Sequence, residues 1–161
     1  MEARIVMNSS IAIDAQGGLT LDLDAPVAND VKISVTAGVY IFESDKPVDV
    51  TSDVAGLPVW GAGTPRVAVS GVQRLTVNFA ADWERLRIAS TDVETTVNAT
   101  GQFLQIFLGD DSIPAGLSAL TGKVTISRGP ANMMLNLLIS DLGSSRSTDY
   151  SITANAFTAT G

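Results

Sequence analysis

Apolar and polar residues alternate along most of this chain. In Val31–Thr36 every second residue is apolar, which places Val31, Ile33 and Val35 on one side of an extended strand. The same period of two returns in short segments at 19–23, 67–69, 75–79, 86–88, 93–97, 124–126 and 150–156. Turn residues such as Gln16-Gly17-Gly18 and Gly129-Pro130 separate these segments. Roughly ten to twelve short strands, spaced about 10 residues apart, are typical of a sandwich or barrel.

The predicted fold class is therefore all-β. We expect one antiparallel β-sandwich domain covering residues 1–161, with jelly-roll or Greek-key connections. A chain of this length buries roughly 70% of its unfolded surface in a single domain. Its core accordingly needs no metal ion or disulfide to hold it together.

Two segments are apolar on both sides, which is unusual for a strand with one face in water. They are Phe103–Leu108 and Met133–Ile139. Pro130 and Gly143 would also suit a helix over the second segment, but its alternation favours a strand, paired with residues 149–159. Each segment lies either in the middle of the core or against another subunit. Self-association is the expectation, because only 17% of the residues are charged.

Other candidate contact residues lie outside these two segments. Residues 51–65 are rich in glycine and proline, and we interpret them as a long surface loop that exposes Trp60. Arg85 and Arg87 share one strand face and are candidates to pair with the acidic N-terminal part of a neighbouring subunit. The predicted interface residues are Trp60, Arg85, Arg87, Phe103, Phe107, Met133 and Leu135.

The chain has no histidine and no cysteine, which excludes much of the usual chemistry of active sites. Ser-His-Asp and Cys-His catalysis, thiolate metal sites and histidine metal sites all need one of these residues. Asp22 and Asp24 lie on one strand face, but few aromatic residues are available to line a sugar cleft, so we interpret them as solvated. We expect a protein that is not an enzyme and binds no cofactor or metal ion.

Charge and hydropathy narrow the range of partners further. The net charge of −7 repels a phosphate backbone, so we expect no binding to nucleic acid. No apolar run reaches the ~18 residues of a membrane-spanning helix, so we expect no membrane partner. The expected partners are copies of the same chain, most simply a trimer, and a larger protein assembly.

The whole set of features resembles structural proteins of tailed-bacteriophage virions, in particular small capsid decoration or cement proteins. The resemblance is carried by the strand and aromatic turn of residues 31–42, by Glu84-Arg85-Leu86-Arg87-Ile88, and by the Ser/Thr/Ala-rich ending from Tyr150 to Gly161. It implies a protein made in the host cytoplasm and bound as an oligomer to a capsid or tail surface of the virion. It carries no binding residue over to this chain.

A second interpretation remains open. A carbohydrate-binding or adhesin-type β-sandwich module would use exposed aromatic rings to stack on sugars. Trp60, Tyr40 and Tyr150 are the candidates for that role.

Overall fold

A computed structural model describes residues 9–23, 30–80, 84–109, 119–129, 134–140, 149–152 and 156–160. Strands contain 71% of these residues, which confirms the all-β fold class. The strands are β1 (Ser9–Ile13), β2 (Gly18–Leu23), β3 (Asp30–Thr36), β4 (Val39–Asp53), β5 (Val59–Trp60), β6 (Thr64–Ser70), β7 (Arg74–Phe79), β8 (Glu84–Ile88), β9 (Glu94–Ala99), β10 (Phe103–Leu108), β11 (Val124–Arg128), β12 (Met134–Ile139), β13 (Asp149–Ile152) and β14 (Ala156–Thr160).

Eight of these strands form two parallel stacks. Stack A contains β2, β7, β9 and β11, and stack B contains β3, β8, β10 and β12, with each strand parallel to its neighbours in the stack. From β7 to β12, consecutive strands alternate between the stacks, so the chain winds as a flattened coil with two strands per turn, in the manner of a short β-solenoid. The sheet is therefore mixed. The all-β class stands, but the expected antiparallel pairing with jelly-roll or Greek-key connections is corrected, because the strands within each stack are parallel.

The alternation seen in the sequence explains why the stacks hold their register. In stack A the residues Leu21, Val77, Val97 and Ile126 lie side by side, and all four are buried. Stack B contributes a corresponding row, and the buried residues of both stacks form one hydrophobic core. A slip of one residue would expose a whole row of apolar side chains to water, so burial of these rows fixes the register.

The N-terminal end of both stacks is covered by β1, β4 and β6. The first half of β4 pairs antiparallel with β3, and its second half pairs parallel with β1, which in turn pairs with β2. The strand β6 pairs with β4 and also with β5. The strand order ends at β12 and at β13, so pairing among the described strands does not close the sheet into a complete barrel.

Two expectations about local structure are corrected. The strand form of the apolar segment before residue 140 is confirmed as β12, but β12 pairs with β10, while residues 156–159 of β14 pair with β11. The segment expected to be a loop over 51–65 contains the end of β4, the two residues of β5 and the start of β6. Pairing with β6 therefore holds Trp60 in the sheet.

The turn between β1 and β2 is organised by Asp14. Its Oδ1 accepts hydrogen bonds from the backbone N–H groups of Gly18, at 2.8 Å, and Gln16, at 2.9 Å, and Oδ2 contacts the Arg74 guanidinium. The Gly18 hydrogen bond above all, then that of Gln16 and the charge of Arg74, holds the pKa of Asp14 below its ordinary value of 3.8. The ionised carboxylate thus favours the folded state.

The Asp14 carboxylate in this turn predicts that the folded protein loses stability in acid. Because the pKa is lower in the folded state, the stabilisation by Asp14 is present above about pH 4 and is lost as the pH falls through the folded pKa. In Asp14→Asn the amide oxygen still accepts the turn hydrogen bonds but does not titrate. We expect its melting temperature to fall less than that of the wild type between about pH 5 and about pH 3. Parallel curves for the two proteins, measured by circular dichroism, would contradict this role.

Candidate assembly interface

The outer face of stack B is the surface formed by the outward side chains of β8, β10 and β12. Parallel register brings these side chains into two rows across the strands. One row contains Asp30, Arg85, Gln105 and Asn136, and the other contains Lys32, Arg87, Phe107 and Leu138. The surface thus changes from charged at β3 and β8 to polar and apolar at β10 and β12.

Two arginines lie beside an aromatic ring on this face. The guanidinium carbon of Arg87 lies 5.2 Å from the centroid of the Phe107 ring, and that of Arg85 lies 6.0 Å from it. Both distances are within the range of cation–π attraction. Both guanidinium groups therefore pack beside the ring, which also lines the groove along β12.

Arg85 already has partners within its own chain. Its Nη1 lies 3.1 Å from Oδ2 of Asp30, and its Nε donates a hydrogen bond to Oε1 of Gln105 over 3.2 Å. About half of each charged side chain is exposed, so this ion pair contributes little stability. The acidic partner expected from a neighbouring subunit is thus already provided by Asp30, and Arg85 mainly shapes the surface beside Phe107.

The far side of the same face is apolar and exposed. Met134 is 57% exposed, Leu138 is 46% exposed, and Phe103 is 37% exposed. An open groove of about 570 Å³ runs along β12, lined by Gln105, Phe107 and residues 135–138. Large side chains clustered beside a groove are typical of contact surfaces between proteins.

The structure brings together most of the predicted interface residues. Arg85, Arg87, Phe103 and Phe107 lie on the outer face of stack B, and the neighbouring Leu135 lines the groove. Met133 lies outside the described residues. Trp60 is separate from this cluster, since β4 and β6 lie between β5 and stack B, although its side chain is 54% exposed.

The strongest apolar contributors, Met134 and Leu138, are missing from the set predicted from the sequence. Both lie in the segment that was singled out, but they have the opposite parity to Met133 and Leu135. The strand β12 is apolar at nearly every position, so its own sequence does not show which side faces outward. Its pairing with β10 decides this, because Met134 lies beside Phe103 and Leu138 lies beside Phe107. If the parallel pairing with β10 had been known, the outward residues of β10 would have identified the outward residues of β12.

The aromatic candidates for sugar stacking do not come together. Tyr40 is 1% exposed, and its hydroxyl is hydrogen-bonded inside the protein, so it cannot stack on a sugar. The side chain of Tyr150 lies outside the described part of the chain. Trp60 alone is exposed among the three as far as the structure describes them.

Asp22 is the first member of a row of hydrogen-bonded side chains across stack A. Asp22 Oδ1 accepts a hydrogen bond from Asn78 Nδ2 at 2.6 Å, and Asn78 Oδ1 accepts one from Asn98 Nδ2 at 2.9 Å. Asp24 lies outside the described residues.

Within the described ranges, no three acidic side chains are grouped closely enough to bind a metal ion. Nor do those ranges contain a helix long and apolar enough to cross a membrane.

Comparisons with protein-family models, with curated proteins and with solved structures gave no significant match.

Proposed function

We propose that the protein is a non-enzymatic structural component of a larger particle, a viral particle being the kind that its sequence resembles. It binds there as a homo-oligomer and attaches to the capsid or tail surface. The observation that supports this proposal is the outer face of stack B, where an aromatic ring with two arginines packed beside it adjoins exposed apolar side chains.

The exposed apolar part of this face is unfavourable in water. A cluster of exposed large apolar side chains gains free energy when it is covered, roughly 25 cal/mol for each Å² removed from water. The groove along β12 offers shape, and Phe107 with its two arginines offers the aromatic and arginine chemistry that is enriched in interfaces. The outward positions of β10 and β12 carry no charged residue that a partner would have to neutralise.

The test is the native mass of the protein and of one face variant. We expect light scattering across a dilution series to detect an oligomer for the wild type. Leu138→Glu places a charge in the middle of the apolar cluster, and we expect association at least about tenfold weaker. Because Leu138 is exposed, the variant should unfold at the same denaturant concentration as the wild type.

A matched control is available at Val54, which is 70% exposed and lies at the end of β4, away from stack B. Val54→Glu makes the same kind of change at another exposed site, and we expect its native mass to equal that of the wild type. A wild type that stays monomeric at every concentration would overturn self-association. Equal loss of mass in both variants would mean that added charge alone disrupts the oligomer, and would remove the outer face of stack B from the proposal.

A further inference from the structure

Among the strands that the structure describes, β12 pairs with β10 and with no other. The N–H of Met134 donates to the Gln102 carbonyl at 2.7 Å, and the N–H of Ser140 donates to the Leu108 carbonyl at 2.9 Å. In a parallel pair alternate residues bond to the same neighbour, so the even-numbered residues of β12 bond to β10. The backbone groups of Leu135, Leu137 and Ile139 therefore point away from β10, and no other strand in the described part of the chain pairs with them.

Within residues 134–139, β12 lacks the sequence features by which proteins normally protect a free strand edge. Exposed edges are usually short, or carry a charge, a proline or a bulge. β12 has six residues in uninterrupted register with β10, and its sequence from Met134 to Ile139 contains no charged residue and no proline. By contrast, the strand β5 at another edge has only two residues. The β12 edge is thus a ready template for pairing.

The rest of the fold determines what can occupy this edge. The N-terminal ends of both stacks are covered by β1, β4 and β6, so one copy cannot stack its β12 on the corresponding first strand of another. Two copies can, by contrast, meet symmetrically through the same β12 edge. The chain carries a net charge of −7, but the edge itself is neutral, so two copies approach here without direct charge repulsion.

We propose that β12 pairs antiparallel with β12 of a second copy of this chain, about a two-fold axis at Leu137. In this register Leu137 lies opposite itself and Leu135 lies opposite Ile139, so all three residues whose backbone groups point to the open edge form hydrogen-bonded pairs. The inference rests on the proposed function, because it names the partner and the geometry of its self-association. It also replaces the expected trimer with a dimer or another even-numbered oligomer.

The test uses proline, which removes one backbone N–H at a chosen position. Leu137→Pro removes an N–H that points to the open edge, and its ring blocks the approach of a second strand, while the hydrogen bonds to β10 stay intact. We expect this variant to keep its fold and to dimerise at least about 100-fold more weakly. Leu137→Ala removes the same side chain but keeps the N–H, and we expect it to remain dimeric. The native mass is measured by sedimentation, and the fold by the denaturant midpoint.

Two further measurements keep the proposal testable. Leu138→Pro removes an N–H that bonds to β10, so we expect this variant to be destabilised, unlike Leu137→Pro. In the wild type, the amides of Leu135, Leu137 and Ile139 should exchange hydrogen more slowly as the protein concentration rises. An oligomer that survives Leu137→Pro, or a wild-type trimer, would overturn the β12 pairing and leave the proposed function standing. A wild-type monomer would overturn both.

Discussion

Gly122→Ala is expected to destabilise the protein by about 3 kcal/mol, a large part of the roughly 5–15 kcal/mol that holds a domain folded. A Cβ at this position would lie 2.1 Å from the Val93 carbonyl oxygen and 2.6 Å from the carbonyl carbon. Both atoms belong to the backbone, so no side-chain rotation relieves the overlap. We expect thermal unfolding to begin roughly 10 °C lower than in the wild type.

The reason lies in how the coil turns are stacked. The N–H groups of Thr121 and Gly122 both donate to the Thr91 carbonyl, at 2.9 and 3.0 Å, and the N–H of Thr95 donates to the Lys123 carbonyl at 2.8 Å. These bonds hold the turn before β11 directly against the turn before β9. An alanine methyl forces the two turns apart and breaks the bonds together, which opens the core beneath them.

A glycine in open space serves as the control. Gly38 has a φ of +73° and nothing within 4 Å of an added Cβ. Gly38→Ala therefore suffers only the backbone strain of the left-handed region, about 1 kcal/mol. If Gly122→Ala and Gly38→Ala lose equal stability in chemical denaturation, the close packing of the two turns contributes nothing measurable.

Alternation along the chain predicted many of the strands, and it predicted the buried side where the other side is polar. Val31 and Ile33 are fully buried and Lys32 is turned outward, as the period of two requires. The pairing of strands was not predictable in the same way. Thr95 pairs with Leu75, 20 positions earlier, but with Val124, 29 positions later, and residues 39–70 interrupt the coil before β7. A repeat with unequal spacing and an insertion leaves no regular period in the sequence.

One trace of the coil is nevertheless present in the sequence. Each strand of stack A contains a threonine, then an aliphatic residue, then a short polar residue, and the four threonines share one register row: Thr20, Thr76, Thr96 and Thr125. In-register stacking favours similar residues in one row, because each packs against its counterparts in the neighbouring strands. Four such triplets at irregular distances become a repeat only once the strands are known to stack in parallel.

The candidate interface was predictable in its residue types and not in its geometry. Phe107 and the two arginines were identified as separate features, and only the parallel pairing of β8 with β10 places Arg87 next to Phe107. Trp60 was grouped with them on the basis of chemistry alone. The pairing of β5 with β6 keeps it away from that surface.

Tyr40→Phe is expected to cost about 2 kcal/mol, because it removes one oxygen on which a buried hydrogen-bond network depends. The Tyr40 hydroxyl donates to Asp92 Oδ1 at 2.7 Å and accepts the N–H groups of Asp92 and Val93, each at 3.1 Å. It also lies 2.9 Å from Thr91 Oγ1. Phenylalanine keeps the ring and its packing near Phe42 but leaves two backbone N–H groups without this acceptor.

The same hydroxyl predicts a difference at alkaline pH. Burial, above all, raises the pKa of Tyr40 above its ordinary value of 10.0, since the charged phenolate is poorly solvated there. The stabilisation by neutral Tyr40 is therefore present below about pH 10 and is lost as the pH rises through the folded pKa. Tyr40→Phe has no such group, so its stability should fall less steeply above about pH 10.

The strand β7 supplies the control, because Thr76 there is half-buried and no hydrogen bond of its hydroxyl is found among the described residues. Thr76→Val deletes a hydroxyl from a strand just as Tyr40→Phe does, but we expect a change within about 0.5 kcal/mol. Urea denaturation gives the free energy of unfolding of both variants. The difference between them separates the effect of losing a hydrogen-bonded hydroxyl from the effect of losing any hydroxyl. A Tyr40→Phe protein as stable as Thr76→Val would mean that water replaces the hydroxyl, and that the turn at residues 91–93 is held by its contacts with residues 119–123 alone.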